Sequence, residues 1–152
     1  MATVQCGFDS SGVAGIFLLQ FSGPTLIVDI GFDANFKPGV VGPAPVPLKK
    51  GVMALVDTGA TESCIDSGLA MQLNLPIVNR RPIAGVHGAK EVNVHMAQIH
   101  VPALNYTIYG MFCAVDLIAG GQFHYALLGR TFLSQFKMNY DGPSGSVIIS
   151  HT

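Results

Sequence analysis

Tryptophan is absent from the 152 residues, and charge is scarce: eight Lys or Arg and nine Asp or Glu, 11% of the chain. Soluble domains usually carry about twice that share. With 49% hydrophobic residues, so few charges imply that part of the surface is covered, in an oligomer or at a membrane. A spanning segment is missing. The longest apolar stretch, V-A-G-I-F-L-L-Q-F over residues 13–21, falls far short of the ~20 residues that cross a bilayer. No Lys or Arg precedes it, as one would in a secretory leader. It is expected as a core strand or a dimer contact. A basic patch or arm is also lacking, and a net charge of −1 argues against nucleic acid as the main partner. Cys6, Cys64 and Cys113 are odd in number and irregularly spaced, which fits neither a disulfide framework nor a zinc site. A reducing, cytoplasmic compartment follows as the expectation, with Cys64 and Cys113 as small core residues.

What is present is glycine, 18 residues, and proline, nine, punctuating short apolar runs. The length suits one domain over residues 1–152, with residues 1–22 as an N-terminal extension and 33–50 as a Pro/Gly-rich surface loop. Strands are expected at Thr25–Phe32, Val52–Val56, Glu91–Val101, Asn105–Val115 and Tyr125–Leu128. Lys49-Lys50-Gly51 reads as a turn, and Pro76 and Pro82 as breaks. A short helix over Gly68–Leu73 is capped by Asp66 or Ser67 and ended by Asn74. Thr131–Phe136 reads as a helical turn or two. Lys137–Tyr140 and Val147–Ile149 make a terminal hairpin around Asp141-Gly142. Short strands with one or two short helices predict an all-β domain, closed or sandwiched.

One run raises a chemical question. The apolar strand A-L-V ends in D-T-G-A-T-E-S, residues 57–63. An aspartate at the end of a core strand is a turn residue or a group placed for chemistry. Asp-Thr-Gly alone is a weak signal; the order of elements around it is stronger. A short helix follows, then a Gly-rich hairpin, A-G-V-H-G-A over residues 84–89, and later a second apolar strand ending in L-L-G-R, residues 127–130, before another helix.

In this order and in the stretch D-T-G-A-T-E-S-C-I-D-S-G-L-A-M-Q-L-N-L, the chain resembles the retropepsin-like aspartic peptidases. These are single-domain relatives of retroviral and retrotransposon proteases, and the retroelement and bacterial members are especially similar. The resemblance covers roughly Thr25–Ile149. It implies the retropepsin-type closed barrel, a two-fold homodimer and Asp57, Thr58 and Gly59 as the catalytic triplet. It also implies a flap at Gly85, Val86, His87 and Gly88, with Val86 as its apolar tip. Ala60, Thr61, Glu62, Tyr125 and Leu127 would line the substrate groove. Thr58 would bond across the symmetry axis, the Gly59 amide would orient the carboxylate, Leu127-Leu128-Gly129 would pack beneath the loop, and Arg130 would tie helix to loop. Retroviral members often carry an acidic residue at the position of Thr61, and the arginine pairs with it. Here Thr61 cannot form that ion pair, which leaves Glu62 or Asp66 open to Arg130.

The residue types suit the reaction. Hydrolysing a peptide bond without a covalent intermediate needs a base for the water and an acid for the carbonyl oxygen and leaving amine. Two carboxylates about 3 Å apart hold one proton between them and do both. A second triplet, D66-S67-G68, lacks a preceding apolar strand and sits where helix caps belong, so it is not expected to be catalytic. The second carboxylate must then come from a second copy of the chain. No metal or other cofactor is called for. Asp29, Asp33, Asp116 and Asp141 read as turn or surface residues. His87 is a pH-sensitive flap contact or an exposed loop histidine. His95 and His100, five apart in one strand, lie on opposite faces and cannot chelate together. The implied activity is cleavage of an extended peptide of about six to eight residues bound as an added strand. It would favour apolar side chains and mildly acidic pH. The alternative is a catalytically silent dimerisation or peptide-binding module on the same fold.

Overall fold

The computed structural model describes residues 2–85 and 88–151. Its elements are β1 (Thr3–Gln5), α1 (Val13–Ser22), β2 (Thr25–Gly31), β3 (Lys49–Val56), β4 (Cys64–Asp66), α2 (Ser67–Gln72), β5 (Ile77–Gly85), β6 (Gly88–Val101), β7 (Tyr106–Val115), β8 (Ala126–Leu128), α3 (Arg130–Leu133), β9 (Lys137–Asp141) and β10 (Ser146–Ser150). The fold is mostly β. One sheet has the order β2-β3-β8-β4-β7-β6-β5, and the other β1-β10-β9. β2 also pairs with β6, Asp29 opposite His100 and Gly31 opposite Gln98. The ladder of the larger sheet therefore returns on itself and leaves β5 outside as an edge.

Alternation decides which residues face in. Leu26, Val28 and Ile30 of β2, Val52, Ala54 and Val56 of β3, Ala97, Ile99 and Val101 of β6, and Ala126 and Leu128 of β8 fill the core. Each full burial of a large apolar side chain contributes about 1.5–3 kcal/mol, so these positions fix the register. Phe132 of α3 joins them, with its ring against Phe136 and edge-on to Tyr106.

Several sequence expectations need correcting. Residues 13–21 form a helix, α1, rather than a strand. A short apolar run has no decisive period; here Gly15 and Leu19, one turn apart, face inward while Val13, Phe17 and Phe21 stay exposed along one stripe. The N-terminal segment is built in rather than appended. β1 pairs with β10 in antiparallel register, Val4 opposite Ile149, and Cys6 is buried in the core. Lys49-Lys50-Gly51 already belongs to β3, with Gly51 at φ 69° bonded to Asp29 Oδ1. Pro82 does not break its segment, because β5 is an edge strand where a missing N–H costs no ladder bond. β4 went unread, since three residues are too few to show a period. Asp33–Leu48 holds no strand or helix. It is pinned at its base by Asp33, whose carboxylate accepts from the Asn35 and Val46 amides, and by Gln98, which bonds the Asp33 backbone.

Candidate active site

Strand alternation also defines the face opposite the core. On β3 the inward residues end at Val56, so Leu55 and Asp57 leave the sheet on the other side, both half-buried. Register extends that face across the sheet: Leu55 lies opposite Leu127, Leu127 opposite Cys64, and Cys64 opposite Cys113. Asp57 stands one step beyond this row, at the point where β3 ends.

The loop after Asp57 is held from several directions. The Asp57 amide donates to the Leu128 carbonyl at 2.9 Å, prolonging the β3–β8 pairing, and the Ala60 amide donates to the Asp57 carbonyl at 3.3 Å. The Gly59 amide donates to Asp57 Oδ1 at 2.8 Å; this bond aims the carboxylate. From α3, the Arg130 and Thr131 amides donate to the carbonyls of Ala60 and Thr61. The Gly129 amide donates to Ser63 Oγ at 3.1 Å. A Cβ on Gly129 would stand 2.6 Å from the Glu62 carbonyl oxygen and 2.9 Å from that of Ala60, so only glycine allows α3 to start this close to the loop.

Arg130 does join helix to loop, but through neither carboxylate left open by the sequence. Its Nη1 donates to the Thr58 carbonyl at 2.7 Å and its Nη2 to Thr61 Oγ1 at 2.9 Å. The threonine hydroxyl thus stands where a carboxylate would accept. Glu62 instead pairs with Arg81 of β5 at 3.1 Å. Asp66 is buried and satisfied by three backbone amides: Leu69, whose bond caps α2, and Leu117 and Ile118. That is a structural role.

Beside the loop, Leu127, Cys64, Cys113 and Val115 floor a cavity of about 390 Å³, with Ile83 and Arg81 as its wall and Glu62 at its rim. The structure therefore groups Asp57, Thr58, Gly59, Ala60, Thr61, Glu62 and Leu127. Tyr125 is half-buried, its amide bonded to the Met53 carbonyl and its own carbonyl to the Asp66 amide. Gly85 and Gly88 pair at the end of the β5–β6 hairpin; Val86 and His87, expected at the flap tip, lie outside the described residues. His95 is buried with Nδ1 2.9 Å from the Leu75 carbonyl, and His100 bonds Thr107.

Sequence reading missed Ile83, Arg81 and the two cysteines as cavity residues; Cys64 and Cys113 were expected in the core, where Cys6 sits instead. The signal for Cys113 was its alternation with Phe112 and Ala114 in β7, both buried. Burial is the main force pushing the Cys64 thiol up to about 12, helped by Cys113 and by Asp57.

A core strand thus ends in an amide-oriented aspartate whose loop is clamped by the Leu-Leu-Gly-Arg turn, the arrangement that the resemblance implied. Residues 49–135 match the family described as "gag-polyprotein putative aspartyl protease". The chain belongs to that family and is retropepsin-like. Among solved structures, EIAV protease complexed with the inhibitor HBY-793 is similar, at 21% identity over 73% of this chain and 85% of that one, with a TM-score of 0.47. The solution structure of simian foamy virus (mac) protease is similar at 16% identity over 72% of this chain and 91% of that one, with a TM-score of 0.46. No curated protein matches.

Proposed function

We propose that the chain is an aspartic endopeptidase that works as a homodimer, each copy giving one Asp57. The observation that carries this reading is the placement of Asp57. It is half-buried, oriented by the Gly59 amide, and fixed at the end of a core strand by β8 and Arg130. A turn residue has no need of that clamp. One carboxylate cannot serve at once as base and acid; two that meet across a dyad share a proton, so that one activates water while the other protonates the carbonyl oxygen. The half-exposed carboxylate face, with Leu55, Leu127 and the cavity beside it, suits a groove closed by a second copy and a peptide. The cavity's apolar floor favours an aliphatic side chain near the cut, and the Glu62–Arg81 pair at its rim favours a polar extension beyond it. Thr58, exposed at the loop tip, would meet its symmetry mate. Residues 1–152 would act as one domain. No helix of the described residues is long and apolar enough to cross a membrane.

Incubation with a denatured protein or peptide library over roughly pH 4–7, with and without a statine-type inhibitor, tests the activity. Cleavage that the inhibitor stops and Asp57→Asn abolishes is the expected result. No cleavage by a well-folded dimer would leave the silent peptide-binding module. Sedimentation tests the assembly: a strict monomer that still cuts would overturn the dimer.

A further inference from the structure

Cys64 and Cys113 are direct Cα partners in the parallel β4–β7 pair. Neighbouring strands lie about 4.7–4.9 Å apart, inside the Cα separation of about 4.4–6.8 Å that a disulfide spans. Register partners project to one side of a sheet, so both thiols leave the face that carries Asp57. Both are half-buried, and both floor the same cavity of about 390 Å³. Cys6 is different: it lies in the core, its thiol 3.5 Å from the Val147 carbonyl. We propose that Cys64 and Cys113 form a cross-strand dithiol that a small disulfide oxidant, such as glutathione disulfide, converts into a Cys64–Cys113 bond, shutting the side-chain cavity next to the catalytic loop.

The steps balance without a further reagent. In the first step the Cys113 sulfur bonds to one sulfur of glutathione disulfide and releases the other half as glutathione, which carries off the Cys113 proton. Cys64 then gives up its proton, attacks the Cys113 sulfur and expels the second glutathione. The protein dithiol loses two electrons and two protons; glutathione disulfide gains both as two thiols. Bringing the sulfurs to bonding distance, about 2.05 Å, redraws the cavity floor and staples β4 to β7. The assignment of the dithiol stands on register alone. Its effect on cleavage rests on the peptidase reading.

The native chain is exposed to excess glutathione disulfide or to dithiothreitol, alkylated, digested and mapped by mass spectrometry; cleavage is read on the same samples. The expected map shows a peptide joining Cys64 to Cys113 and an alkylated Cys6. Cleavage falls about tenfold, as a misplaced binding surface costs, and dithiothreitol restores it. In Cys113→Ser the ratio of oxidised to reduced cleavage becomes one; in Cys6→Ser the fall persists. Two alkylated cysteines, two separate glutathione adducts, or a cross-link that forms only after denaturation would overturn the dithiol. A cross-link with an unchanged cleavage ratio would overturn the control of the site. A cross-link in a chain inactive in both states would support the dithiol while contradicting the peptidase reading.

Discussion

Gly129→Ala probes how tightly α3 is pressed onto the Asp57 loop. Gly129 has φ −88° and ψ −171°, an extended conformation open to alanine, so the added methyl carries no conformational penalty. Its cost is contact: the new Cβ would lie 2.6 Å from the Glu62 carbonyl oxygen, 2.7 Å from its carbon and 2.9 Å from the Ala60 oxygen. All three are backbone atoms and cannot rotate away. Overpacking of this kind costs about 1–3 kcal/mol. For a chain of this size that lowers Tm by roughly 2–4 °C per kcal/mol. The relief must come from moving the loop away from α3, which lengthens the Gly129–Ser63 and Arg130–Ala60 bonds and carries Asp57 with it. An error near 1 Å at a catalytic group costs about a hundredfold, so activity falls more than stability does. Gly51→Ala is the control. Gly51 has φ 69° and nothing within 4 Å of its would-be Cβ, so its cost of about 1–2 kcal/mol is purely conformational and reaches no part of the site. Urea unfolding at fixed chain concentration and peptide cleavage on both variants decide the matter. A Gly129→Ala protein with full cleavage and stability within about 0.5 kcal/mol of wild type would refute the packing described.

Arg130→Met removes the bonds to Thr58 and Thr61 from an exposed side chain, so unfolding shows a loss near 1 kcal/mol, while kcat falls about tenfold through the loosened loop. Arg130→Lys, with no fork to span both oxygens, recovers little of it. Arg81→Ala breaks a half-exposed pair with Glu62; stability changes by less than about 1 kcal/mol, while KM rises, and the gap to wild type closes in high salt. His124 is buried, with Nε2 3.0 Å from Thr25 Oγ1, and burial lowers its pKa. The folded chain therefore binds that proton less readily than the unfolded one. The stability this gives is complete above the ordinary histidine value, near 6.5, and is lost as pH falls from there through the lowered value of the folded chain. Acid thus weakens the fold. Thermal unfolding from neutral to acid pH should show a shallower decline in His124→Gln; an identical decline would refute this.

Legibility in the sequence followed the length of the pattern. The Asp-Thr-Gly loop and the Leu-Leu-Gly-Arg turn were readable because each closes an apolar strand and the order of elements between them is constrained. β6 and β7 were readable because each is a run of ten or more residues with no proline and many apolar or β-branched side chains. β4 was not, since Cys-Ile-Asp is too short to carry a period, and with it went the knowledge that Cys64 faces Cys113. α1 was misread because a mostly apolar run of nine residues fits either period, and only the packing of Gly15 and Leu19 selects one. Arg130's partners were not legible because they are a backbone carbonyl and a hydroxyl rather than a carboxylate. Arg81 and Ile83 carried no signal, since an edge strand's contact with the catalytic loop is set by the curl of the whole sheet.

Whether two copies of Asp57 make one site is tested most directly by mixing. Wild-type and Asp57→Asn chains are combined at constant total concentration, allowed to exchange, and assayed for peptide cleavage. If every site needs both carboxylates, activity falls as the square of the wild-type fraction, so an equal mixture keeps about a quarter. Activity that falls only in proportion, with half retained, would mean that one chain cleaves alone and that the paired carboxylates do not exist.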